Sequence, residues 1–492
     1  MSEKDIVGRK EEIKILAETM RSKEAEFVAI YGRRRVGKTF LIREYFSKKG
    51  IYLEVTGVKE APLKSQLEKF IKGYSSVFFE GEKLKVPHSW DEAFETLTEK
   101  IKSLPKRKKV IIFLDEIPWL ASKKSGVMQA LDYYWNRYWS SQRNFILITC
   151  GSAASWMLSN LIHAKGGLYN RITKRILLEP FNLKETQHFL ERRSIKLNRK
   201  QILDLYMVVG GIPFYLKEFK KGKSTTQNID DLCFKKSGLL YSEFTDLFRS
   251  LFDQSESNLD IIRAIIRSGN TISREKLIEV TKISSGGAIN RRLEELEASS
   301  FIRGYIPYGK KRRDRFFRVT DEYTLFYLNW IEPLIERGAQ RGQGKYWEKI
   351  SNTSAKSIWS GFAFETVCYK HIDQIGQSLG LNNIAYSTGS WRLIPPKKSK
   401  DKGAQIDLLF DREDGVITLC EIKYRDKKYA LDKANAKSLD NKKELFEENF
   451  PSKSKPTGKQ IYIALISTYG MKKNMYSEEL IDNEVVLEDL FK

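Results

Sequence analysis

Short unbroken apolar runs alternate with stretches of helical period through the first half of the chain. Phe27-Val28-Ala29-Ile30-Tyr31, Ile51-Tyr52-Leu53-Glu54-Val55, Val110-Ile111-Ile112-Phe113-Leu114 and Phe145-Ile146-Leu147-Ile148-Thr149 each suffice for one buried strand. Around them, Ile13, Leu16, Ala17 and Met20 mark one helix face, and Thr39 to Phe46 reads as a helix. Residues 61–74 and 90–103 read as amphipathic helices. Apolar strands in alternation with helices predict an α/β domain whose parallel sheet is covered on both faces.

The rhythm changes in the middle of the chain. Asn258 to Ile266 predicts a helix, Ser273 is placed to cap a second, and Ile289, Leu293 and Leu296 mark a third. Two β-rich runs follow, Phe301 to Ile306 and Arg315 to Val319. Three short helices and a hairpin make a winged helix. The aromatic stretch Tyr323 to Trp330 reads as core, and the polar, glycine-rich stretch from Arg337 to Lys345 reads as a linker. Beyond it, Ile358 to Glu365 begins a helix, and Gln405 to Phe410 and Val416 to Lys423 are strands joined through a turn at Asp414-Gly415. A lysine-rich helix at 427–444 then leads into the strand Gln460 to Ile466. The expected domains are 1–235, 236–340 and 346–492.

Chemistry enters at the first strand. Phe27 to Tyr31 runs into Gly32-x-x-x-x-Gly37-Lys38-Thr39, and a helix follows at once. Strand, glycine loop and helix in this order is the context of a phosphate-binding loop. Gly32 and Gly37 let the backbone curl so that the amides of Arg35, Val36, Gly37, Lys38, Thr39 and Phe40 converge on an anion at the positive helix end. Lys38 would reach the β- and γ-phosphates of a nucleoside triphosphate, and the Thr39 hydroxyl would hold Mg²⁺. The third strand ends in Asp115-Glu116, two adjacent carboxylates that are costly at the end of a buried strand unless used. Asp115 can organise Mg²⁺, and Glu116 can orient and deprotonate the attacking water; a helix cap ahead of Pro118 is the plainer alternative. After the fourth strand, Thr149 and Ser152 are candidates either to sense the γ-phosphate or to close a local turn.

Composition changes this picture in one respect. The chain has 492 residues, enough for several domains, and carries 86 Lys and Arg against 63 Asp and Glu, a net charge of +23. Such an excess favours a polyanionic partner through counterion release, or else only marks solvated basic faces. Its placement matters more. Lys310, Lys311, Arg312, Arg313 and Arg315 crowd the expected hairpin tip, with Arg291 and Arg292 on the third helix nearby. They suit nucleic-acid phosphates; a protein-facing or intramolecular module is the alternative. Cys150, Cys233, Cys368 and Cys420 are far apart and read as small buried hydrophobes. No apolar run nears the length of a membrane span, and MSEKDIVGRK lacks the apolar segment of a leader, so a cytoplasmic location without a membrane partner is expected.

The pieces VGRKEE, YGRRRVGKT, FLDEIPWL, ITCGSAASWM, LYNRITKRILLEPF and GGIPFYL, in this order, resemble the archaeal-type ATPase family of AAA-like and STAND P-loop NTPases. The resemblance implies that Lys38, Thr39, Asp115 and Glu116 act on ATP and Mg²⁺ as described. It further implies that Gly8, Arg9 and Gly211-x-Pro213 approach the nucleotide base, the latter from a helical lid at about residues 181–235. Arg171 matches the arginine that follows the sensor strand and would reach the γ-phosphate in its own subunit or from a neighbour in a homo-oligomer. The family usually has glycine just before it, where this chain has Asn170.

The last domain carries a second set of polar residues. Asp407 lies on one strand of a hairpin and Glu421 and Lys423 on the other, the last two on one face. A cross-strand salt bridge would account for them. On apolar, buried strands, however, charges need a partner such as a metal. Two carboxylates can hold Mg²⁺ against a scissile phosphate while the lysine steers water or steadies developing charge. Gly361-x-x-Phe364-Glu365, Ile406-Asp407 and Glu421-Ile422-Lys423 resemble the PD-(D/E)xK nuclease superfamily, and more closely the restriction-endonuclease-like domain found behind many archaeal-type ATPases. That resemblance implies Asp407, Glu421 and the Ile422 carbonyl as metal ligands, Asp407, Glu421 and Lys423 as catalytic, and Glu365 as an assisting acid at the metal.

The expectation is thus an ATP-hydrolysing α/β protein with helical lid, winged helix and a Mg²⁺-dependent nuclease-like domain acting on nucleic acid, DNA in preference to RNA. The alternative is a regulatory ATP switch whose later domains bind without cutting.

Overall fold

Every residue of Val110–Asp115 and Phe145–Gly151 is buried, and so is Glu26–Tyr31 up to its last residue. Strands covered on both faces have no polar side to alternate with, which is why these runs are continuously apolar. The computed structural model describes residues 6–163, 168, 170–252, 254–338, 345–350, 353–394, 403–450 and 459–492; residues 339–344 of the expected linker lie outside them. The chain divides into two units, one of residues up to Pro180 with 212–214 and 298–300, the other of 181–211, 215–297 and 301–492.

The first unit begins with α1 (Lys10–Arg21), β1 (Glu26–Tyr31), α2 (Lys38–Phe46), β2 (Ile51–Thr56), α3 (Leu63–Phe78) and α4 (Trp90–Ser103). It continues with β3 (Val110–Asp115), α5 (Val127–Arg137), β4 (Phe145–Gly151) and β5 (Lys174–Leu177). All five strands are parallel, in the order β2-β3-β4-β1-β5. Phe70, Trp90, Phe94, Leu131 and Trp139 from the helices pack with Phe27, Leu53, Ile112 and Leu147 from the sheet in one apolar cluster. Because β4 pairs with both β1 and β3, the segments leaving these three strands emerge side by side. That edge is where open α/β sheets bind ligands.

The second unit opens with α6 (Leu183–Arg192) and α7 (Arg199–Val209), each started by a capping box, Asn182 with Glu185 and Asn198 with Gln201. These helices, expected as part of a lid, cluster with the second unit. Then come α8 (Ser255–Arg267), β6 (Ile272–Ser273), α9 (Arg274–Thr281), α10 (Gly287–Ala298), β7 (Ile302–Tyr305) and β8 (Phe316–Val319). The three strands form an antiparallel sheet ordered β6-β8-β7, and the Ser273 side chain caps α9 by accepting from the Lys276 N–H at 3.2 Å. Tyr323, Phe326 and Trp330 are buried, as expected of core.

The same unit ends with α11 (Ser354–Lys370), β9 (Tyr386–Leu393), β10 (Ala404–Arg412), β11 (Val416–Lys423), α12 (Lys433–Glu448), β12 (Gln460–Ser467) and β13 (Asn483–Val486). The five strands form a mixed sheet ordered β13-β12-β11-β10-β9. β9, β10 and β11 pair antiparallel, and β11, β12 and β13 pair parallel. β10 bulges against β9 between Ile406 and Leu409, so those two residues, three apart, join the same apolar cluster. The period of two therefore breaks at Asp407. All four cysteines are buried and free. Among the described residues, no helix is long and apolar enough to cross a membrane.

Candidate functional site

Gly32 and Gly37 take φ of 134° and 95°, backbone that side chains rarely allow. A Cβ on Gly32 would stand 2.4 Å from the Leu178 carbonyl oxygen, so the loop closes only on glycine. Lys38 opens α2, and its buried ammonium donates to the carbonyls of Gly32 and Arg33, each at 2.9 Å. Thr39 Oγ1 donates to Asp115 Oδ2 at 2.9 Å. Burial pushes the Asp115 carboxyl above its ordinary range, opposed by hydrogen bonds from the Cys150 thiol and the Thr39 hydroxyl and assisted by the charge of Glu116.

Glu116 sits at φ 48° just past β3. Its Oε2 accepts from the N–H and the hydroxyl of Ser152, at 3.0 and 2.9 Å. Its side chain makes no cap bond to the short helix Ile117–Leu120, so the capping alternative is not what occupies it. Thr149 is buried and turned into the sheet, toward the Val28 carbonyl at 3.4 Å. Of the two sensor candidates, only Ser152 meets a carboxylate of this site.

Arg9, at φ 58° beside Gly8, donates to the carbonyls of Glu179 at 2.6 Å and Val36 at 3.1 Å, which ties the N-terminal segment to the loop. Val36 is buried and Phe40 is 44% exposed. The Arg35 guanidinium lies 4.1 Å from the ring centre of Phe214, directly after Pro213. Sequence reasoning took Pro213 and passed over Phe214. Arg171 is exposed, and its backbone N–H donates to Leu168 at 3.1 Å. A buried ammonium, amides at a helix start and a hydroxyl–carboxylate pair of hard oxygens fit a triphosphate with Mg²⁺.

In the second unit, Asp407 and Glu421 stand just past the last paired residues of β10 and β11, Leu408 and Cys420, close enough for the Glu421 charge to act on Asp407. Glu421 is held from both sides. Lys423 Nζ donates to its Oε1 at 2.6 Å, and Lys442 Nζ, from α12, donates to its Oε2 at 2.8 Å. Burial opposes ionisation of Glu421, yet the two ammoniums hold it below the usual carboxylate range. Asp407 is pushed up by burial and by Glu421; Gln405 Nε2 donates to its Oδ1 at 3.1 Å, and the Tyr369 hydroxyl donates to its carbonyl at 2.9 Å. Glu365, on α11, is pushed up to about 8 by burial and by the Asp407 charge. The Arg318 guanidinium, which pulls Glu365 the other way, lies between the rings of Tyr305 and Tyr369, at 3.9 and 3.8 Å. Ile422 is buried and pairs with Ile466.

Beside Glu421 and Lys423 is a cavity of about 160 Å³ that Asn435, Ser438 and Lys442 also line. Among the described residues, no three of His, Cys, Asp and Glu gather closely enough to hold a metal, so Glu365 does not join Asp407 and Glu421 in a cage. The two carboxylates still fit Mg²⁺, which takes one or two of them and fills the rest of its shell with water and phosphate. Lys442 was missed from the sequence. Its signal was the spacing of Asn435, Ser438 and Lys442, which share one helix face.

At the hairpin, Lys310, Lys311, Arg312 and Arg313 are exposed. Arg315, by contrast, is paired: its Nη2 donates to both carboxylate oxygens of Glu297, at 2.7 and 2.8 Å. Arg291 likewise pairs with Glu295 at 2.9 Å, and Arg292 bonds Gln254.

Residues 6–219 match a family described as an ATPase domain predominantly from Archaea. An uncharacterized protein of Methanocaldococcus jannaschii is 26% identical over 432 residues, 86% of this chain and 88% of that protein. An uncharacterized ATP-binding protein of the same organism is 44% identical over 45 residues, 9% of this chain and 76% of that protein. Among solved structures, the Walker-type ATPase paby2304 of Pyrococcus abyssi is 18% identical, with a TM-score of 0.45 over 66% of this chain and 97% of that one. The ORC2 protein of Aeropyrum pernix is 14% identical, with a TM-score of 0.40 over 67% of this chain and 94% of that one.

Proposed function

We propose that this chain, whose residues 6–219 match a family described as an ATPase domain predominantly from Archaea, couples ATP hydrolysis to a divalent-metal-dependent phosphodiesterase acting on nucleic acid, DNA in preference to RNA. In the first unit, Lys38 binds the β- and γ-phosphates, Thr39 and Asp115 would hold Mg²⁺, and Glu116 takes the proton of the attacking water. In the second, Asp407, Glu421 and the Ile422 carbonyl would hold Mg²⁺, which when bound supplies a Lewis acid at the scissile phosphate. Lys423, fixed on Glu421, steadies the charge that develops there, and Glu365 assists. The exposed basic tip of a winged helix formed by α8, α9, α10 and the β6-β8-β7 sheet tracks the phosphate backbone. The observation that carries the reading is the half-buried pair Asp407 and Glu421, just past the last β10–β11 pairing, with Lys423 Nζ 2.6 Å from Glu421 Oε1.

A second reading, a regulatory ATP switch that binds nucleic acid or a protein without cutting, is favoured by one observation. Both oxygens of Glu421 already carry an ammonium. Labelled DNA and RNA incubated with Mg²⁺, with and without ATP, separate the two. Cleavage by the unmodified chain that Lys423→Ala abolishes while binding persists supports the phosphodiesterase. Absence of cleavage on every substrate leaves the switch.

A further inference from the structure

Glu421 has two oxygens, and each is taken: Oε1 by Lys423 at 2.6 Å and Oε2 by Lys442 at 2.8 Å. Its side chain is only 12% exposed, so an ammonium in contact is bound strongly and is not readily replaced by water. Each oxygen keeps a second lone pair, but two ammonium charges on one buried carboxylate repel a divalent cation, so metal entry is favoured when one of them leaves. Lys423 is two residues along the same strand and keeps its place with β11. Lys442 is different: it stands on α12 and reaches across the cavity of about 160 Å³. Its four-carbon stem leaves room to turn into that space, toward Asn435 and Ser438 on the same helix face.

We propose that Lys442 is a substrate-binding residue of this centre, a resident counter-cation that holds Glu421 Oε2 until a divalent ion replaces it and then turns its ammonium toward a phosphate in the adjoining cavity. The inference rests on the phosphodiesterase reading and adds a residue to it. The ammonium and the metal compete through like charge at one carboxylate, so metal entry favours release of Lys442. The polar stripe Asn435, Ser438 and Lys442 supplies donors where the freed ammonium goes.

The test uses the full chain without nucleotide and Mn²⁺ as the probe, with bound ion counted by electron paramagnetic resonance. Glu421→Gln identifies the signal that belongs to this site. Lys442→Met, of similar shape but uncharged, is expected to bind Mn²⁺ about tenfold more tightly at that site, because the competing charge is gone. On nucleic acid it should lose at least about tenfold in cleavage rate, since one phosphate contact is missing. Lys442→Arg, which keeps the charge, should hold metal affinity near that of the unmodified chain and shows whether the helix tolerates change. A Glu421-dependent Mn²⁺ site equally tight in Lys442→Met overturns the proposal alone. Absence of any Glu421-dependent site in the unmodified chain removes the phosphodiesterase reading with it.

Discussion

The Tyr424 hydroxyl donates to Asp204 Oδ1 at 2.7 Å and accepts from Lys200 Nζ at 2.6 Å, so the residue after Lys423 is anchored to α7. Burial, then the neighbouring Asp204, pushes its phenol far above the ordinary range and keeps it a donor. Tyr424→Phe is expected to cost about 1.5–3 kcal/mol, the worth of a hydrogen bond to a charged group. Urea unfolding followed in the second unit measures it. ATP turnover should stay within about twofold, as for independent sites; an unchanged urea midpoint would show that the anchor carries no energy.

Glu116 is parked on Ser152 through two hydrogen bonds. Glu116→Gln should keep ATP binding and lower kcat by about 10²–10⁴, as expected when a general base is lost. Ser152→Ala removes one of the two bonds and should lower kcat about fivefold, the equivalent of roughly 1 kcal/mol, with KM unchanged. Steady-state phosphate release gives both numbers. A fall in ATP affinity for Ser152→Ala would place the serine on the substrate instead.

His371 joins α11 to the start of α6: the Leu183 N–H donates to its Nε2 at 3.0 Å, which leaves the proton on Nδ1, 2.8 Å from the Val367 carbonyl. Burial pushes its pKa down from 6.5 to about 4. Between those values the unfolded chain takes a proton that the folded chain refuses, so stability is lost as pH falls through that window. About 3 kcal/mol is at stake. Urea midpoints at pH 7 and pH 5 should differ in the unmodified chain, and His371→Gln should flatten the difference.

Lys310, Lys311, Arg312 and Arg313 are the exposed cations of the hairpin tip. Replacing all four with Ser should weaken nucleic-acid binding alike on every sequence and reduce the slope of log affinity against log salt by about 3–4. Fluorescence anisotropy across a salt series checks it. An unaltered slope would assign the tip to a protein partner.

The parallel sheet was legible because doubly covered strands must be apolar throughout, and the glycine loop because Gly32 tolerates no side chain. The hairpin Gln405 to Lys423 was legible from its two largely apolar runs, with the turn marked by Asp414-Gly415. What escaped has physical causes. Helix α5 buries Val127, Ala130, Leu131, Tyr134 and Trp135 at regular helical spacing, but the exposed Tyr133 adds an aromatic to its outer face and masks the stripe. The lysine-rich helix was expected at 427–444 but starts later, at Lys433, because Tyr429 and Ala430 are drawn into a short strand with Met471 and Lys472 and Asp432 caps the helix. Phe214 and Lys442 lie far along the chain from the groups they meet, and local pattern carries no word of such encounters.

The irregular step in β10 bears on anyone who would harden this protein for use. Thermostabilising redesign rewards straight, evenly laddered strands, and an algorithm would smooth this one early. Restoring the ladder would turn Asp407 relative to Glu421, and on the phosphodiesterase reading the improved melting curve would belong to a protein whose second centre had been taken apart. The kink is best entered as a fixed coordinate before any such search begins.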